Sequence, residues 1–440
     1  MKHLLLTLLF ILLIFSPLNA ESMDDELFGS EEDLFGSSTE DDLFGTSSND
    51  SFIVQVQETE KSLDTLLLTQ DEGVRIGGSF SFKANPGFKW YPSTEDIDAT
   101  FSGSLDSKLF IDARMSKDTR FYSSFGVTYP VTNNATSKAN FSLKELFADI
   151  TYQDTLFFRV GKQTINWGVG YFFSPADLLN LSDIDPLNAS NDLEGPVAVK
   201  MTSSLGIDNL YAYIVLPPTL KDARDLAYAL KYEKVFNKTE VGLGAYYRYD
   251  NPPAAMLTFS SSVKKVSLFG EAVLQYGSNK TFITGSTTVA DYKDTFFFLG
   301  TIGGSYTYSA KESDFSLSLL GQYFFNGEGY SNTDIYDHIE GLLNTGKISV
   351  PDLFNPGMHY AASNISFTFT KNIGASLLVI GNMTDFSGVI QPSISYSGIK
   401  NLKISLSSSI AYGKEGTEYT TKIDPPTSML TQWEVTPKPW

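Results

Sequence analysis

From about Val74 onward the chain alternates, residue by residue, between large apolar side chains and small or polar ones. Val241, Leu243, Ala245, Tyr247 and Tyr249 are interleaved with Gly242, Gly244, Tyr246 and Arg248; Val266, Leu268, Gly270, Ala272 and Leu274 with Ser267, Phe269, Glu271 and Val273. A period of two places these sets on opposite faces of a β-strand. Seventeen stretches read this way: 74–83, 99–115, 119–130, 142–153, 155–165, 196–205, 208–216, 224–236, 238–250, 255–264, 265–276, 294–309, 313–325, 359–371, 373–384, 386–397 and 401–412. Beyond residue 20 no run of 18 apolar residues occurs, so no helix of membrane-spanning length is predicted.

The gaps between these stretches alternate in length. Every second gap is a tight turn, such as Gln153-Asp154, Phe236-Asn237-Lys238, Lys264-Lys265 and Lys371-Asn372. The intervening gaps include long ones at 166–195, 277–293 and 326–358, although those near 251–254 and 384–387 are short. A sandwich of two soluble sheets has no reason to alternate in this way. A closed sheet crossing a bilayer does, with tight turns at one rim and longer loops at the other. An even strand count returns both chain ends to the turn rim, and residues 429–436 supply the missing strand. The expected fold is therefore all-β: a transmembrane antiparallel β-barrel of about 16–18 strands, with 18 favoured, occupying 74–440. Barrels of that size enclose water. The chain ends in an aromatic residue, Trp440, but Pro437 and Pro439 interrupt the last strand, because proline donates nothing to a ladder.

Composition explains what stands in front of the barrel. Lys2, the apolar run Leu4–Phe15, the Ser16-Pro17 break and Ala20 form a secretory signal peptide over 1–20. The chain has no cysteine, which excludes disulfides and thiolate metal sites. Residues 21–60 hold 13 acids and no Lys or Arg, so most of the net charge of −19 belongs to this end. Within 21–50 an acidic-Leu-Phe-Gly unit recurs at Asp25–Gly29, Glu32–Gly36 and Asp41–Gly45. Such a low-complexity acidic segment is expected to be disordered. It is either a solvated tail or a linear motif for a periplasmic partner, and 51–73 then serves as a periplasmic linker. Charged residues are 19% of the chain, below the roughly 25% of soluble domains, and aromatics are 14%. No basic cluster points to nucleic acid.

The most distinctive segment starts at Arg159-Val-Gly-Lys162-Gln163. It continues through Asn166-Trp167-Gly168-Val169-Gly170 to Ser174-Pro175-Ala176-Asp177, and ends at Glu194-Gly195. It resembles a segment of porin-like bacterial outer-membrane β-barrels, in which Gly-Lys/Arg-Gln leads to Trp-Gly and then Pro-x-Asp. The resemblance implies outer-membrane localisation, outer-membrane lipid around the barrel, and small-molecule solutes as its partners. It covers about 35 residues and does not name a solute. As the third long connection, the segment is a candidate to bend inward and constrict the pore. Ser174-Pro175 predicts a helix start, with a short helix over 175–181. Constriction candidates are Trp167, Asp177, Asp183, Asp185, Asp192 and Glu194; a ring of such acids favours cations. An ordinary exposed loop and a Ca²⁺ site are the competing readings.

Lipid-facing charge is costly. The period-two pattern therefore sends Asp112, Arg114, Glu145, Asp149, Arg159, Gln163, Lys200, Asp225, Lys231, Arg248 and Glu271 to the lumen, as a selective wall or as an ion-pair ladder. Tyr246, Tyr247, Tyr249, Tyr306, Tyr308 and Tyr323-Phe324-Phe325 fit interfacial girdles. A short helix is expected over 334–344, behind Thr333. After the signal only His338 and His359 remain, and no nucleophile elbow, His-Glu-x-x-His or phosphate loop is present. The expectation is no enzyme, no cofactor and no metal. It is instead a channel for small hydrophilic solutes, with a transporter of hydrophobic ligands or a surface barrel with partner-binding loops as alternatives.

Overall fold

The computed structural model describes residues 73–91, 96–132, 138–181, 187, 194–311, 313–400, 402–420 and 428–436. The predicted signal peptide, the acidic tail, the linker up to residue 72 and Trp440 lie outside the described residues.

Twenty strands occur among the described residues. They are β1 (Gly73–Tyr91), β2 (Asp96–Ser116), β3 (Thr119–Thr132), β4 (Asn140–Tyr152), β5 (Leu156–Lys162), β6 (Val197–Leu205), β7 (Asp208–Leu216), β8 (Ala227–Phe236), β9 (Thr239–Arg248), β10 (Ala254–Val263), β11 (Val266–Tyr276), β12 (Thr281–Ile283), β13 (Val289–Asp291), β14 (Phe296–Ser309), β15 (Ser316–Asn326), β16 (His359–Thr370), β17 (Ile373–Asn382), β18 (Ser387–Ile399), β19 (Leu402–Tyr412) and β20 (Ser428–Thr436). All except β12 and β13 belong to one 18-stranded sheet in which each strand pairs antiparallel with its neighbours. The sheet closes on itself. β20 pairs with β19 on one side, Ile410 opposite Met429, and with β1 on the other, Phe82 opposite Val435. Closure leaves no strand edge, so a barrel can cross hydrocarbon with its backbone polar groups paired.

Side-chain exposure separates the two faces. Along β9 the odd positions are open to the surroundings, with Leu243 62% and Tyr247 54% exposed; β11 exposes Leu268 and Leu274. The intervening residues of β11, Phe269, Glu271 and Val273, are buried in the interior. The same alternation sends Val74, Ile76, Phe80 and Phe82 of β1 outward, and Ile394, Tyr396, Ile410 and Tyr412 of β18 and β19. A belt of apolar side chains around a closed sheet is the surface that lipid solvates.

One rim carries only tight connections, at 117–118, 153–155, 206–207, 237–238, 264–265, 310–315, 371–372 and 400–401. Gln153 and Asp154, at the turn between β4 and β5, both have positive φ, 53° and 51°. This left-handed turn matches the twist of the strands it joins. The other rim carries the longer connections, including 163–196, 277–295 and 327–358. Both the start of β1 and the end of β20 lie at the turn rim, as an even strand count requires.

Two expectations are corrected. Asp225 is not on a lumen-facing strand: β8 begins at Ala227, and Asp225 lies in an exposed 3-10 turn, Ala223–Asp225. Its carboxylate accepts from the backbone of Lys221 (2.9 Å) and Asp222 (3.0 Å), which places it in a local cap rather than a strand. No helix forms over 175–181; Asp177 N donates to Ser174 O and Leu178 N to Ala176 O as isolated turns. The Ser174 hydroxyl that would cap a helix is drawn away to Glu271. The 277–295 connection holds the short β12–β13 hairpin, whose three-residue strands are too brief to show a period. The helix expected near 334–344 does form, as α1 (Tyr336–Asn344). Its Leu342 packs with Ile335, Ile348 and Ile283, so the 327–358 and 277–295 connections share an apolar core.

Leu243, midway along β9 and opposite Leu257 of β10, tests the lipid face. Leu243→Lys is expected to lower folding stability in lipid vesicles by roughly 2–4 kcal/mol if it sits near the midplane. The readout is the denaturant midpoint, and a change within 0.5 kcal/mol, about what an exposed water-facing site gives, would reject this face as lipid-exposed.

Candidate functional site

The connection from β5 to β6 enters the barrel. Gln163 leaves β5 with its side chain 1% exposed and donates through Nε2 to Ala198 O of β6 (3.1 Å). It is therefore a clamp on the base of the loop and does not line open lumen. Ile165 and Asn180 then exchange hydrogen bonds, Ile165 N to Asn180 Oδ1 (3.0 Å) and Asn180 Nδ2 to Ile165 O (2.7 Å), which closes the segment into a compact loop.

Trp167 drives the next step. It is 1% exposed and its ring lies 5.0 Å from that of Tyr213 on β7. It belongs to a buried cluster with Ile165, Ala176 and Leu179 of the loop, Ala229 of β8, Met256 of β10 and Val273 of β11. Burying an indole of this size is the main apolar attraction between loop and wall. The carbonyl of Trp167 accepts from Lys231 Nζ of β8 (2.8 Å), and Lys231 is ion-paired with Glu233 (2.5 Å), both side chains being 5% exposed or less. A buried pair of this kind is costly to break, since either partner alone leaves an uncompensated charge.

Two polar side chains then hold the loop backbone. Glu271 of β11 receives Val169 N (2.5 Å), Gly170 N (2.6 Å) and Ser174 Oγ (2.9 Å) on one oxygen, and Ala176 N (2.8 Å) on the other. Gln322 of β15 accepts from Tyr171 N (3.1 Å) and Phe172 N (2.8 Å), and donates to Phe173 O (2.5 Å) and Thr301 Oγ1 of β14 (2.6 Å). A non-helical loop inside a barrel leaves many backbone N–H groups without partners; these two side chains take five of them. The turn needs glycine. A Cβ on Gly168 would collide with Ser174 and Glu271, and one on Gly170 with the Phe173 carbonyl. Beyond Gln322, Phe173 stacks on Phe324 of β15 at 5.2 Å and tilts against Tyr360 of β16 at 5.5 Å.

Apart from Gln163 at its base, which bonds to β6, the named contacts of the loop fall on β7, β8, β10, β11, β15 and β16. The inner face of β1–β5 carries a charged ladder instead. Asp112 of β2 sits between Arg75 of β1 (2.8 Å) and Arg120 of β3 (2.8 Å). Asp149 of β4 sits between Arg120 (3.4 Å) and Arg159 of β5 (2.7 Å). The Arg159 guanidinium also covers the Phe147 ring at 4.1 Å, and Lys200 of β6 lies 5.0 Å from the centre of Tyr211. Glu145 accepts from Ser124 Oγ (3.5 Å) one rung further in. Arg114 projects from the same inner face, and Arg248 ends β9 at the loop rim.

Of the acids expected to ring a constriction, Asp177 accepts from Asn180 Nδ2 (2.8 and 3.0 Å) and Glu194 from Lys162 Nζ (2.8 Å). Asp183, Asp185 and Asp192 lie outside the described residues. The residues that hold the loop are Glu271 and Lys231, expected only as lumen charges, and Gln322, which sequence reasoning missed. Gln322 had a readable signal: a polar residue at an inward position between Leu320 and Phe324, beside Gly321. Arg75 and Arg120 also fell at inward positions of expected strands. The aromatic residues divide between the faces. Tyr247, Tyr249, Tyr308 and Tyr323 are exposed in the outer belt, whereas Phe324 is buried against the loop.

Solved structures of similar architecture include OccK8 (OprE) of Pseudomonas aeruginosa, 12% identical, covering 83% of this chain and 98% of that chain at a TM-score of 0.48. OccAB1 of Acinetobacter baumannii is 14% identical over 83% of this chain and 96% of that one, with a TM-score of 0.47. A mutant porin of Rh. blastica is 10% identical over 83% and 99%, with a TM-score of 0.40. No protein-family profile and no curated protein matches the chain.

Glu271→Ala removes the acceptor from four donors at once. Leaving buried donors unsatisfied costs about 1–3 kcal/mol each, reduced where water enters. The expected outcome is protease cleavage within 168–181 while the barrel itself persists, with Glu271→Gln intermediate; unchanged resistance would mean that Glu271 does not hold the loop.

Proposed function

We propose that the protein is a bacterial outer-membrane channel that passes small hydrophilic solutes, and not an enzyme. The observation that carries this reading is the inward-folded 163–181 segment, pinned by Glu271 and Gln322 to the inside of an 18-stranded barrel. Such a loop lies against one part of the inner wall and so narrows the lumen. The signal peptide and the outer-membrane lipid around the apolar belt belong to the same reading.

The wall opposite the loop favours polar traffic over hydrophobic ligands. The inward positions of β18 and β19 include Gln391, Ser393, Ser405, Ser407 and Ser409, and Gln391 donates to Ser409 at 3.3 Å. The inward positions of β1–β6 carry Arg75, Lys83, Lys108, Arg114, Arg120, Lys144, Arg159 and Lys200 against Asp106, Asp112, Glu145 and Asp149. Excess positive charge along a low-dielectric wall concentrates anions. We therefore assign the pore a preference for anionic solutes, with the acids of the 163–196 loop as a weaker opposing influence. The acidic Leu-Phe-Gly repeats offer a periplasmic partner three copies of one short motif.

Planar-bilayer recording of the refolded protein under a salt gradient tests this directly. Steady conductance steps are expected, with a reversal potential of anion-preferring sign. Arg120→Ala with Arg159→Ala should move that potential toward cations by several millivolts, since Asp112 and Asp149 lose partners. Asp177→Asn, Asp183→Asn and Asp185→Asn together should leave it nearly unchanged. A larger response to the loop acids than to the arginines would place selectivity on the loop, and a silent bilayer with an intact barrel would remove the channel reading.

A further inference from the structure

We propose that Glu418 is a proton-operated clasp that ties three rim connections together and, through Tyr360, to the inward-folded loop. Glu418 lies in the 413–427 connection. Its Oε2 accepts from Tyr360 Oη at the start of β16 (2.8 Å) and from Asn382 Nδ2 at the end of β17 (2.7 Å). Its backbone N–H donates to Asp385 Oδ2 in the 383–386 connection (3.0 Å), and the same oxygen accepts from Tyr336 Oη of α1 (2.8 Å). Asn382 Oδ1 in turn accepts from Thr384 N (2.8 Å), and Tyr360 Oη accepts from Gly357 N (2.7 Å). The Glu418 carboxyl thus joins 413–427 to the start of β16 and the end of β17, its backbone N–H joins it to 383–386, and Asp385 and Tyr360 carry the links on to Tyr336 and Gly357 of 327–358.

The link to the pore interior is Tyr360. Its hydroxyl belongs to the clasp while its ring packs on Phe173 of the inward-folded loop and on Phe324 at 6.1 Å. Tyr360 is fully buried, so its ring cannot shift without moving one of these neighbours.

The surroundings make the clasp sensitive to protons. Burial outweighs the two donated hydrogen bonds and raises the Glu418 carboxyl to about 7; Asp385 adds to the rise and Lys280 opposes it. The other groups facing the site are Tyr336 from α1, Tyr360 from β16, Tyr412 from β19 and the adjacent Tyr419. Lys280, from the 277–295 connection, has its pKa lowered by burial against the pull of Glu328, Asp352 and Glu418, and it is engaged elsewhere. Its ammonium donates to Glu328 O (3.1 Å) and lies 5.0 Å from the centre of the Tyr330 ring. Once Glu418 ionises, two carboxylates share a site with little compensating charge. A folded value above the ordinary 4.5 means that clasp stability is fully present below that value. It is lost as pH rises toward and through 7. Acid therefore tightens the rim, and alkali loosens it.

The test uses the full-length protein reconstituted in lipid, with hydrogen exchange read on peptides from 327–358 and 413–420 at pH 5.5 and 8.0, corrected for intrinsic exchange. The wild type should be about tenfold or more better protected at pH 5.5, the linkage expected of a single group titrating in that window. Glu418→Gln keeps an acceptor oxygen but no charge, and should hold its protection at both pH values. Tyr360→Phe should lose protection at both, with barrel circular dichroism confirming that it folds. Wild-type protection that ignores pH, or a Glu418→Gln protein that keeps the wild-type pH response, would overturn the clasp. In bilayers the same pH change should alter closure frequency at least severalfold in the wild type and not in Glu418→Gln; protection that changes while an active channel's gating does not would overturn the coupling through Tyr360. The clasp does not rest on transport: a silent bilayer with pH-dependent protection intact would sink the channel reading and leave the clasp standing.

Discussion

The pairing of β20 with both β19 and β1 is the constraint on which everything else depends. In hydrocarbon, no water is present to satisfy an unpaired N–H or C=O, and an open sheet edge is excluded. Closing eighteen strands into a ring meets this demand and fixes the parity of the strands, with the start of β1 and the end of β20 at the turn rim. It also sets the face of each inward-pointing side chain, because the strand period is two. The Glu271 carboxylate, the Gln322 amide and the arginine–aspartate ladder reach the interior for that reason alone.

A loop inside such a barrel faces the same backbone problem on a smaller scale. The 163–181 segment forms neither helix nor strand, so its N–H groups have few partners of their own. Glu271 takes three of them and Gln322 takes two. The apolar partners, Trp167 against Tyr213 and Phe173 against Phe324, exclude water from these bonds, which strengthens them. Function follows from this division of the interior. One side of the wall is occupied by the loop, and the β1–β5 side presents alternating guanidinium and carboxylate groups. Ion pairs of this kind satisfy each other, and the excess of bases over acids on the inner face of β1–β6 is what the proposed anion preference rests on.

The rim connections repeat the principle of one polar group holding several backbone segments. Glu418 and Asp385 do for 327–358, 383–386 and 413–427 what Glu271 does for the inward loop. Tyr360 belongs to both arrangements through its hydroxyl and its ring, so the rim and the interior share a side chain.

The sequence by itself determined the barrel. Alternating periodicity, turn signals and the rhythm of gap lengths located every barrel strand to within a few residues except for the longer β1, and parity supplied the eighteenth, because these are local properties of a two-faced strand. The inward faces of Asp112, Asp149, Arg159, Lys231 and Glu271 were legible for the same reason. Tertiary structure decided what those charges do. Lys231 and Glu271 are separated by 40 residues, yet both serve a loop whose own sequence suggested a helix at Pro175. Ser174 gave up its capping role because a carboxylate on β11 offered a buried acceptor, and nothing near residue 174 encodes that. Asp225 moved out of its expected strand because two adjacent N–H groups competed for its carboxylate. Glu418, Asn382 and Tyr360 meet only when three connections converge on one rim, a contact set by closure of the ring and invisible to any pattern along the chain.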